Sequence, residues 1–130
     1  MSGVALVARG ATAGPRSPHR WRHRVLVGDD AGAPAPWLDA QLEQLRAARA
    51  ASVARDLVVW VCRGDRCAID ETAGLAFPGL HLDARLLRQS LKVNEPGMRL
   101  IGKDGRVKAA RNELTPPAVI HAFIDTLPQR

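Results

Sequence analysis

The sequence predicts a single α/β domain built around a mixed β-sheet. Two observations carry this prediction: a strand–helix–strand pattern over residues 24–62, and a strand–turn–strand–helix pattern over residues 98–127. The chain has 130 residues, about the usual length of one domain. Hydrophobic residues make up 46% of it and aromatic residues only 4%, so Leu, Val, Ile and Ala must fill most of the core.

The first half of the domain predicts two parallel strands joined by a helix. Arg24–Val27 is a short apolar run that ends at a glycine, which indicates a strand. Residues 37–54 place leucines at helical spacing and predict one helix. Leu57–Cys62 is continuously apolar, as is typical of a strand buried on both faces of a parallel sheet. This order predicts a right-handed crossover.

The second half predicts a short helix and then a hairpin. Residues 63–81 are rich in glycine and proline and predict an irregular segment. A helix is predicted over residues 83–91, with Asp83 as its N-cap. Met98–Ile101 and residues 107–109 predict an antiparallel pair. Asp104-Gly105 between them predicts a type I′ turn, which needs positive φ at both central residues.

The last predicted element is a helix that closes the domain. Thr115 is its candidate N-cap, and Pro116 suits the first helical position, where no N–H is needed. The predicted apolar face consists of Ile120, Phe123, Ile124 and Leu127. The summed order is βαβ, α, ββα, with a central mixed sheet of about four strands. This order is the core of the thioredoxin fold.

Residues 1–19 predict a disordered basic arm or the remnant of a leader, because they are rich in Gly, Ala, Pro, Ser and Arg without periodicity. Of the net charge of +6, +5 lies in the first 24 residues, which contain no acidic residue. The arginines concerned are Arg9, Arg16, Arg20, Arg22 and Arg24. Val4–Ala8 is shorter than the apolar stretch of about 7 residues or more that a signal peptide needs, so no export signal is predicted. No apolar run approaches the roughly 20 residues of a membrane span.

Several of these segments resemble one family. Residues 20–27 resemble its opening strand, residues 55–59 its second strand, residues 100–108 its hairpin and residues 123–128 its closing helix. The family is the bacterial domain of unknown function DUF4174, related to thioredoxin-like domains of vertebrate extracellular sushi-repeat and coiled-coil-domain proteins. The resemblance implies a thioredoxin-like fold over residues 20–130, frequent export to the cell envelope, and no established activity or catalytic residues. Members usually follow a signal peptide, so the compartment stays open between cytoplasm and envelope.

No thiol chemistry is predicted at the position where thioredoxin-like enzymes hold their nucleophile. Their reactive cysteine lies where the first helix begins, because the helix N-terminus stabilises a thiolate. The corresponding residues 29–37 contain no Cys, Ser or Thr. Ordinary thioredoxin or peroxiredoxin activity is therefore not expected.

Cys62 and Cys67 are the only cysteines, and their spacing is C-x4-C rather than C-x-x-C. They follow the second predicted strand, at the sheet edge where open α/β sheets place their sites. They predict a structural disulfide or inert thiols, with a redox-active pair as the alternative. A zinc site formed with His81 would have three ligands, where structural zinc usually takes four.

The remaining candidate groups favour structural roles. Asp29 and Asp30 could form a carboxylate pair, but we expect adjacent side chains at a strand end to point apart and to serve a turn. His121 and Asp125 are expected on a solvated helix face. Arg63-Gly64-Asp65 matches a cell-adhesion tripeptide by chance.

The basic arm carries the last alternative. With His19, Trp21 and His23 among its arginines it could bind phosphates, and Trp21 could stack on a base, although Trp21 also opens the family's first strand. The sequence thus favours a non-catalytic binding or structural module. A thiol-redox protein and a nucleic-acid-associated protein are the alternatives. No cofactor or metal is predicted, and ligand, protein partner and oligomeric state stay open.

Overall fold

A computed structural model describes residues 8–9, 22–77 and 81–128. In chain order the elements are β1 (Ala8–Arg9), β2 (Arg24–Asp29), α1 (Pro36–Ala47), α2 (Arg49–Ala54), β3 (Leu57–Arg63), β4 (Arg66–Ile69), β5 (His81–Asp83), α3 (Ala84–Leu91), β6 (Gly97–Ile101), β7 (Val107–Arg111) and α4 (Pro117–Asp125). None of the helices in these ranges is both long and apolar enough to span a bilayer.

The described strands form one mixed sheet in the order β1-β5-β4-β3-β2-β6-β7. Strands β2 and β3 are parallel, and every other neighbouring pair is antiparallel. The predicted α/β class and mixed sheet are confirmed. The predicted number of about four strands is wrong, because β4 and β5 join the sheet beside β3 and the two-residue β1 extends that edge.

Strands β4 and β5 come from residues 63–83, most of which were predicted to be irregular. Gly64 has a φ of +59°, and glycine at the first central position is what a type II′ hairpin turn requires. The register pairs Arg63 with Arg66 and Cys62 with Cys67. Only four residues belong to β4, too few to display a strand pattern in the sequence. Its neighbours, rather than its own propensity, keep it in the sheet.

Apolar side chains cover both faces of the sheet. Val25 and Val27 point to the face that α3 covers, whereas Leu26 between them points to the face of α1 and α4. Strand β3 alternates in the same way, with Trp60 on the α3 face and Val59 on the α1 face. The prediction that this continuously apolar run is buried on both faces is confirmed.

Three helix predictions need correction. The predicted helix over residues 37–54 is two helices, since Ala48 leaves helical geometry with a φ of −108° and a ψ of 25°. The last helix has Pro116 as its N-cap and Pro117 as its first residue, so Thr115 is not the cap. On that helix Phe123 is 38% exposed and His121 is buried instead. By contrast, Asp83 caps α3 as predicted, accepting the N–H groups of Arg85 and Leu86.

The turn between β6 and β7 is a hairpin, as predicted, but of another type. Gly105 has a φ of +82°, whereas Asp104 is not among the residues with positive φ, so a type I′ turn is excluded. The Gly105 N–H donates to the Gly102 carbonyl, and the Gly102 N–H donates to the Arg106 carbonyl, each at 2.9 Å. This is the longer hairpin loop in which a type I turn precedes one left-handed glycine.

A buried amide fastens α1 to the segment before α4. Gln41 is 0% exposed, and its Nε2 donates to the Thr115 carbonyl at 2.8 Å. The Thr115 N–H donates in return to Gln41 Oε1 at 2.7 Å. One side chain therefore satisfies both backbone groups of a buried residue outside any helix or strand.

The substitution Gln41→Ala is expected to lower the free energy of unfolding by about 2–4 kcal/mol, because it leaves a buried N–H and a buried C=O without partners. Urea denaturation followed by circular dichroism measures the loss. Gln44→Ala is the matched control, since Gln44 lies exposed on the same helix and should change stability by less than about 0.5 kcal/mol. Equal losses in the two variants would contradict this role for Gln41.

Candidate functional site

The polar and sulfur-bearing side chains meet where the parallel strands β2 and β3 end. In the sheet register Asp29 lies beside Cys62, Cys62 lies opposite Cys67, and Cys67 lies opposite Leu82. Both cysteines and Leu82 belong to the cluster that α3 covers, and Asp29 follows Val25 and Val27 on that face. A carboxylate and two sulfurs thus form one row across the sheet beneath α3.

Cys62 and Cys67 form a disulfide across the β3–β4 hairpin. They are 0% and 1% exposed. Cys67 lines a surface depression together with Arg66 and Arg85, but almost none of the residue is reachable from it. Thiol–disulfide exchange requires a thiolate to reach one of the sulfurs, so this disulfide is shielded in the folded chain.

Asp29 forms a buried ion pair with Arg88 of α3. Arg88 Nε lies 3.0 Å from both carboxylate oxygens, and its Nη2 lies 2.8 Å from Oδ1. The Asp29 side chain is 1% exposed and that of Arg88 is 20% exposed. The hydrogen bond to Asp29 raises the pKa of Arg88 above its ordinary value, although burial acts in the opposite direction. Such charge-assisted pairs are strong, but their loss leaves a costly buried charge.

Asp30 ties the end of β2 to the neighbouring hairpin. Its Oδ1 accepts the N–H of Gly32 at 2.7 Å and that of Gly64 at 3.1 Å, and lies 3.4 Å from Arg88 Nη2. The prediction that the two adjacent aspartates point apart is wrong, because both reach Arg88. The chain turns sharply here, with left-handed φ values of +54° at Ala31 and +79° at Gly32. Both carboxylates are thereby engaged in holding the fold.

The start of α1 holds no nucleophile. The helix begins at Pro36 with Ala35 as N-cap, and no side chain caps it. The charged group in its first turn is Asp39, which pairs with Arg63 at 2.6 Å. The leucines of α1 pack on the sheet face opposite to the face that carries the disulfide. The cysteines and the start of this helix therefore do not form one site.

A zinc site at Cys62, Cys67 and His81 finds no support in the described part of the chain, where no group of three or more His, Cys, Asp or Glu side chains could hold an ion. Cys62 and Cys67 have no thiolate to offer while they are joined. The side chain of His81 lies outside the described residues.

His121 belongs to a second buried polar contact, so its predicted place on a solvated face is wrong. It is 6% exposed, and its Nε2 lies 2.9 Å from the Oγ of Ser52, which is 0% exposed. Burial lowers the pKa of His121, and the nearby Arg55 adds to this, while Asp125 opposes it. Asp125 itself is exposed and accepts two hydrogen bonds from Arg55, at 2.9 and 3.0 Å. The contact joins α2 to α4.

Part of the predicted basic arm is committed to the fold. Arg24 is 2% exposed, and its guanidinium donates to the carbonyls of Arg55 at 3.0 Å and Pro128 at 3.2 Å. It is therefore not available for phosphate binding. His23 packs edge-on against Phe77 at 4.9 Å, and burial lowers its pKa. Residues 10–21, which include Arg16, His19, Arg20 and Trp21, lie outside the described ranges.

The fold and the buried row together define an α/β domain with a mixed sheet and a disulfide-bridged hairpin. The chain belongs to the family described as Domain of unknown function (DUF4174), whose model matches residues 17–130. The resemblance seen in the sequence is therefore confirmed at the level of the family. No curated protein and no solved structure matches the chain.

The substitution Arg88→Met is expected to lower the free energy of unfolding by about 3–5 kcal/mol, because it leaves the Asp29 carboxylate buried without its cation. Urea denaturation measures the change. Arg85→Met is the matched control on the same helix, since Arg85 is exposed and should matter by less than about 0.5 kcal/mol. Adding Asp29→Asn to Arg88→Met should recover part of the loss. Equal losses of stability in Arg88→Met and Arg85→Met would contradict this role of the ion pair.

Stability is expected to fall as the pH is lowered through the range in which His121 takes up a proton. The ordinary pKa of 6.5 applies to the unfolded chain, and the pKa in the fold is lower. Between these two values the unfolded chain binds more protons, so stability decreases with falling pH by up to about 1.4 kcal/mol per pH unit. His121→Gln keeps a polar atom near Ser52 and should reduce this slope below pH 6.5, leaving the part that His23 contributes, because burial lowers the pKa of His23 as well. An unchanged slope in urea denaturation series would contradict the assignment.

Proposed function

We propose that this domain is a non-catalytic thioredoxin-like module that acts by binding a partner, and that its disulfide is structural. The observation that carries the proposal is the location of the sulfurs. Both cysteines are joined and buried beneath α3, whereas the start of α1, where a thioredoxin-like enzyme needs its thiolate, has no Cys, Ser or Thr.

The strand order supports the thioredoxin-like assignment. Four adjacent strands follow the order β3-β2-β6-β7, with β3 parallel to β2 and with β6 antiparallel to both of its neighbours. Helix α1 lies in the chain between β2 and β3, and α4 follows β7, as the βαβ and ββα halves require. Strands β4 and β5 then count as an addition at the free edge of β3.

The chemistry around the sulfurs argues against a redox role. Cys62 belongs to an apolar cluster, and burial in such surroundings disfavours the charged thiolate that exchange chemistry requires. By the loop-closure model, a crosslink between residues five apart stabilises the fold by about 2 kcal/mol. These points favour the structural interpretation over the redox alternative.

An oxidising compartment suits this proposal, because disulfides persist in secreted and periplasmic proteins and are rare in the cytosol. The cell envelope of a bacterium is such a compartment, and it is where members of this family are expected. The nucleic-acid alternative loses one cation, since the buried Arg24 is bound to backbone carbonyls.

The proposal is tested by assaying insulin reduction in the presence of dithiothreitol. Wild type and the double variant Cys62→Ala, Cys67→Ala are both expected to leave the uncatalysed rate unchanged. The double variant should unfold at lower urea, with a loss of about 2 kcal/mol. Native reduction of the disulfide should be slow and should accelerate in urea that is not yet denaturing. Faster insulin reduction by the wild type, abolished in the double variant, would overturn the non-catalytic assignment in favour of the redox alternative.

A further inference from the structure

We infer that the edge of β7 and the groove beside it bind an extended peptide that carries an apolar side chain and, two residues away, a carboxylate. The inference deepens the proposed function and rests on it only in that the domain acts by binding. It concerns the opposite end of the sheet from the disulfide-bridged hairpin, because β7 is the last strand beyond β6.

Helix α4 and the segment before it expose large apolar side chains. Leu114 is 42% exposed, Val119 47% and Phe123 38%, and the last two line one groove. The sequence of α4 had predicted that Phe123 faces the core. A cluster of exposed apolar side chains on a soluble domain marks an interaction surface more often than an isolated one does.

A groove runs between this part of the sheet and α4. Its walls include Leu100 and Ala109 from the strands and Ile120 and Phe123 from the helix. Its volume is about 180 Å³. Sites for whole small molecules usually measure about 300–1,000 Å³, so this groove suits one or two apolar side chains. A side chain presented by a backbone lying outside the groove fits these dimensions.

The edge of β7 offers the means to hold such a backbone. Among the described residues β7 pairs with β6 alone, so one row of its N–H and C=O groups has no strand partner. An extended peptide can add to an open edge as a further strand, with alternate side chains on the same face. Ala109 and Arg111 both line the groove, so the side chains of an added strand opposite these two positions would lie over it.

The charge at the end of the groove selects the chemistry of the partner. Arg111 is the one charged side chain among those that line the groove, and it forms no ion pair within the described ranges. An added strand that places an apolar residue opposite Ala109 therefore gains most from an Asp or Glu opposite Arg111. The recognised pattern is an apolar residue and an acidic residue with one residue between them.

A second copy of the chain fits this edge less well. Two β7 strands side by side would bring Arg106 and Arg111 of both copies together, and basic residues on an edge strand oppose self-pairing. The volume of the groove is likewise too small for the chain of a fatty acid together with its headgroup. A peptide with an apolar residue and an acidic residue is the occupant that can pair with the edge of β7, fill the groove and bind Arg111.

The test selects random peptides displayed on phage against the immobilised full chain. Wild type should enrich peptides in which an apolar residue and Asp or Glu are separated by one residue. Arg111→Glu should reverse the preference towards Lys or Arg at the acidic position. Arg106→Glu is the matched control, because it makes the same charge change at an exposed residue that does not line the groove.

Fluorescence anisotropy then measures binding of one enriched peptide. Changing its acidic residue to the amide, or introducing Arg111→Glu, should weaken binding by about tenfold, as for loss of a charge-assisted hydrogen bond. Methylating the peptide's backbone amides in the pairing segment should weaken it at least as much. Urea denaturation checks that each variant folds.

The inference is overturned if no pattern is enriched, if the enriched peptides lack an acidic residue, or if Arg106→Glu weakens binding as much as Arg111→Glu. Displacement of the peptide by laurate, or self-association through this surface in sedimentation velocity, would assign the groove to another occupant. None of these outcomes affects the insulin assay, so failure here is distinguishable from failure of the non-catalytic proposal.

Discussion

The ion pair between Asp29 and Arg88 is the contact on which the arrangement of the sheet end depends. A carboxylate at a buried strand end is tolerable only with a cation and hydrogen-bond donors around it. Arg88 supplies the cation from α3, and the N–H of Ala31 supplies a donor from the turn. Because Asp30 also binds the hairpin at Gly64, the end of β2, the disulfide-bridged hairpin and α3 are held by one set of polar contacts. The disulfide lies beside these polar contacts, beneath α3. The contacts that bury the disulfide therefore also stabilise the domain.

The parts of the fold that could be predicted are those decided by local sequence. The apolar run of β3 needs a layer of helices on each face of the sheet, so its burial could be predicted from its residues. The Asp83 side chain accepts N–H groups of the helix that it begins, so this cap could also be predicted locally. Strand β4 could not be predicted, because a segment of only four residues becomes a strand through the neighbours that pair with it. The Asp104-Gly105 turn shows the same limit. The dipeptide suits two hairpin loops, and the φ of Asp104 that separates them is set by the strands on either side.

The candidate site likewise has features that the sequence could predict and features that it could not. The absence of Cys, Ser and Thr between residues 29 and 37 could be read from the sequence, because an absent residue type needs no structure to be recognised. The partner of Asp29 was not, since Arg88 lies 59 residues along the chain. On α4 the periodicity was correct, but the buried face is shifted by one residue towards His121, because Ser52 on α2 meets it there. The same shift exposes Phe123. Such a rotation depends on how helices pack and is invisible in a single helical pattern.

The contacts of Arg24 have a consequence for how the last helix can leave the domain. Its guanidinium at the start of β2 donates to the carbonyl of Pro128 just beyond α4. The same side chain donates to the carbonyl of Arg55, which lies between α2 and β3. Detachment of α4 would therefore break a hydrogen bond of a side chain that is buried at the sheet, so fraying of the segment after α4 is coupled to the packing of β2.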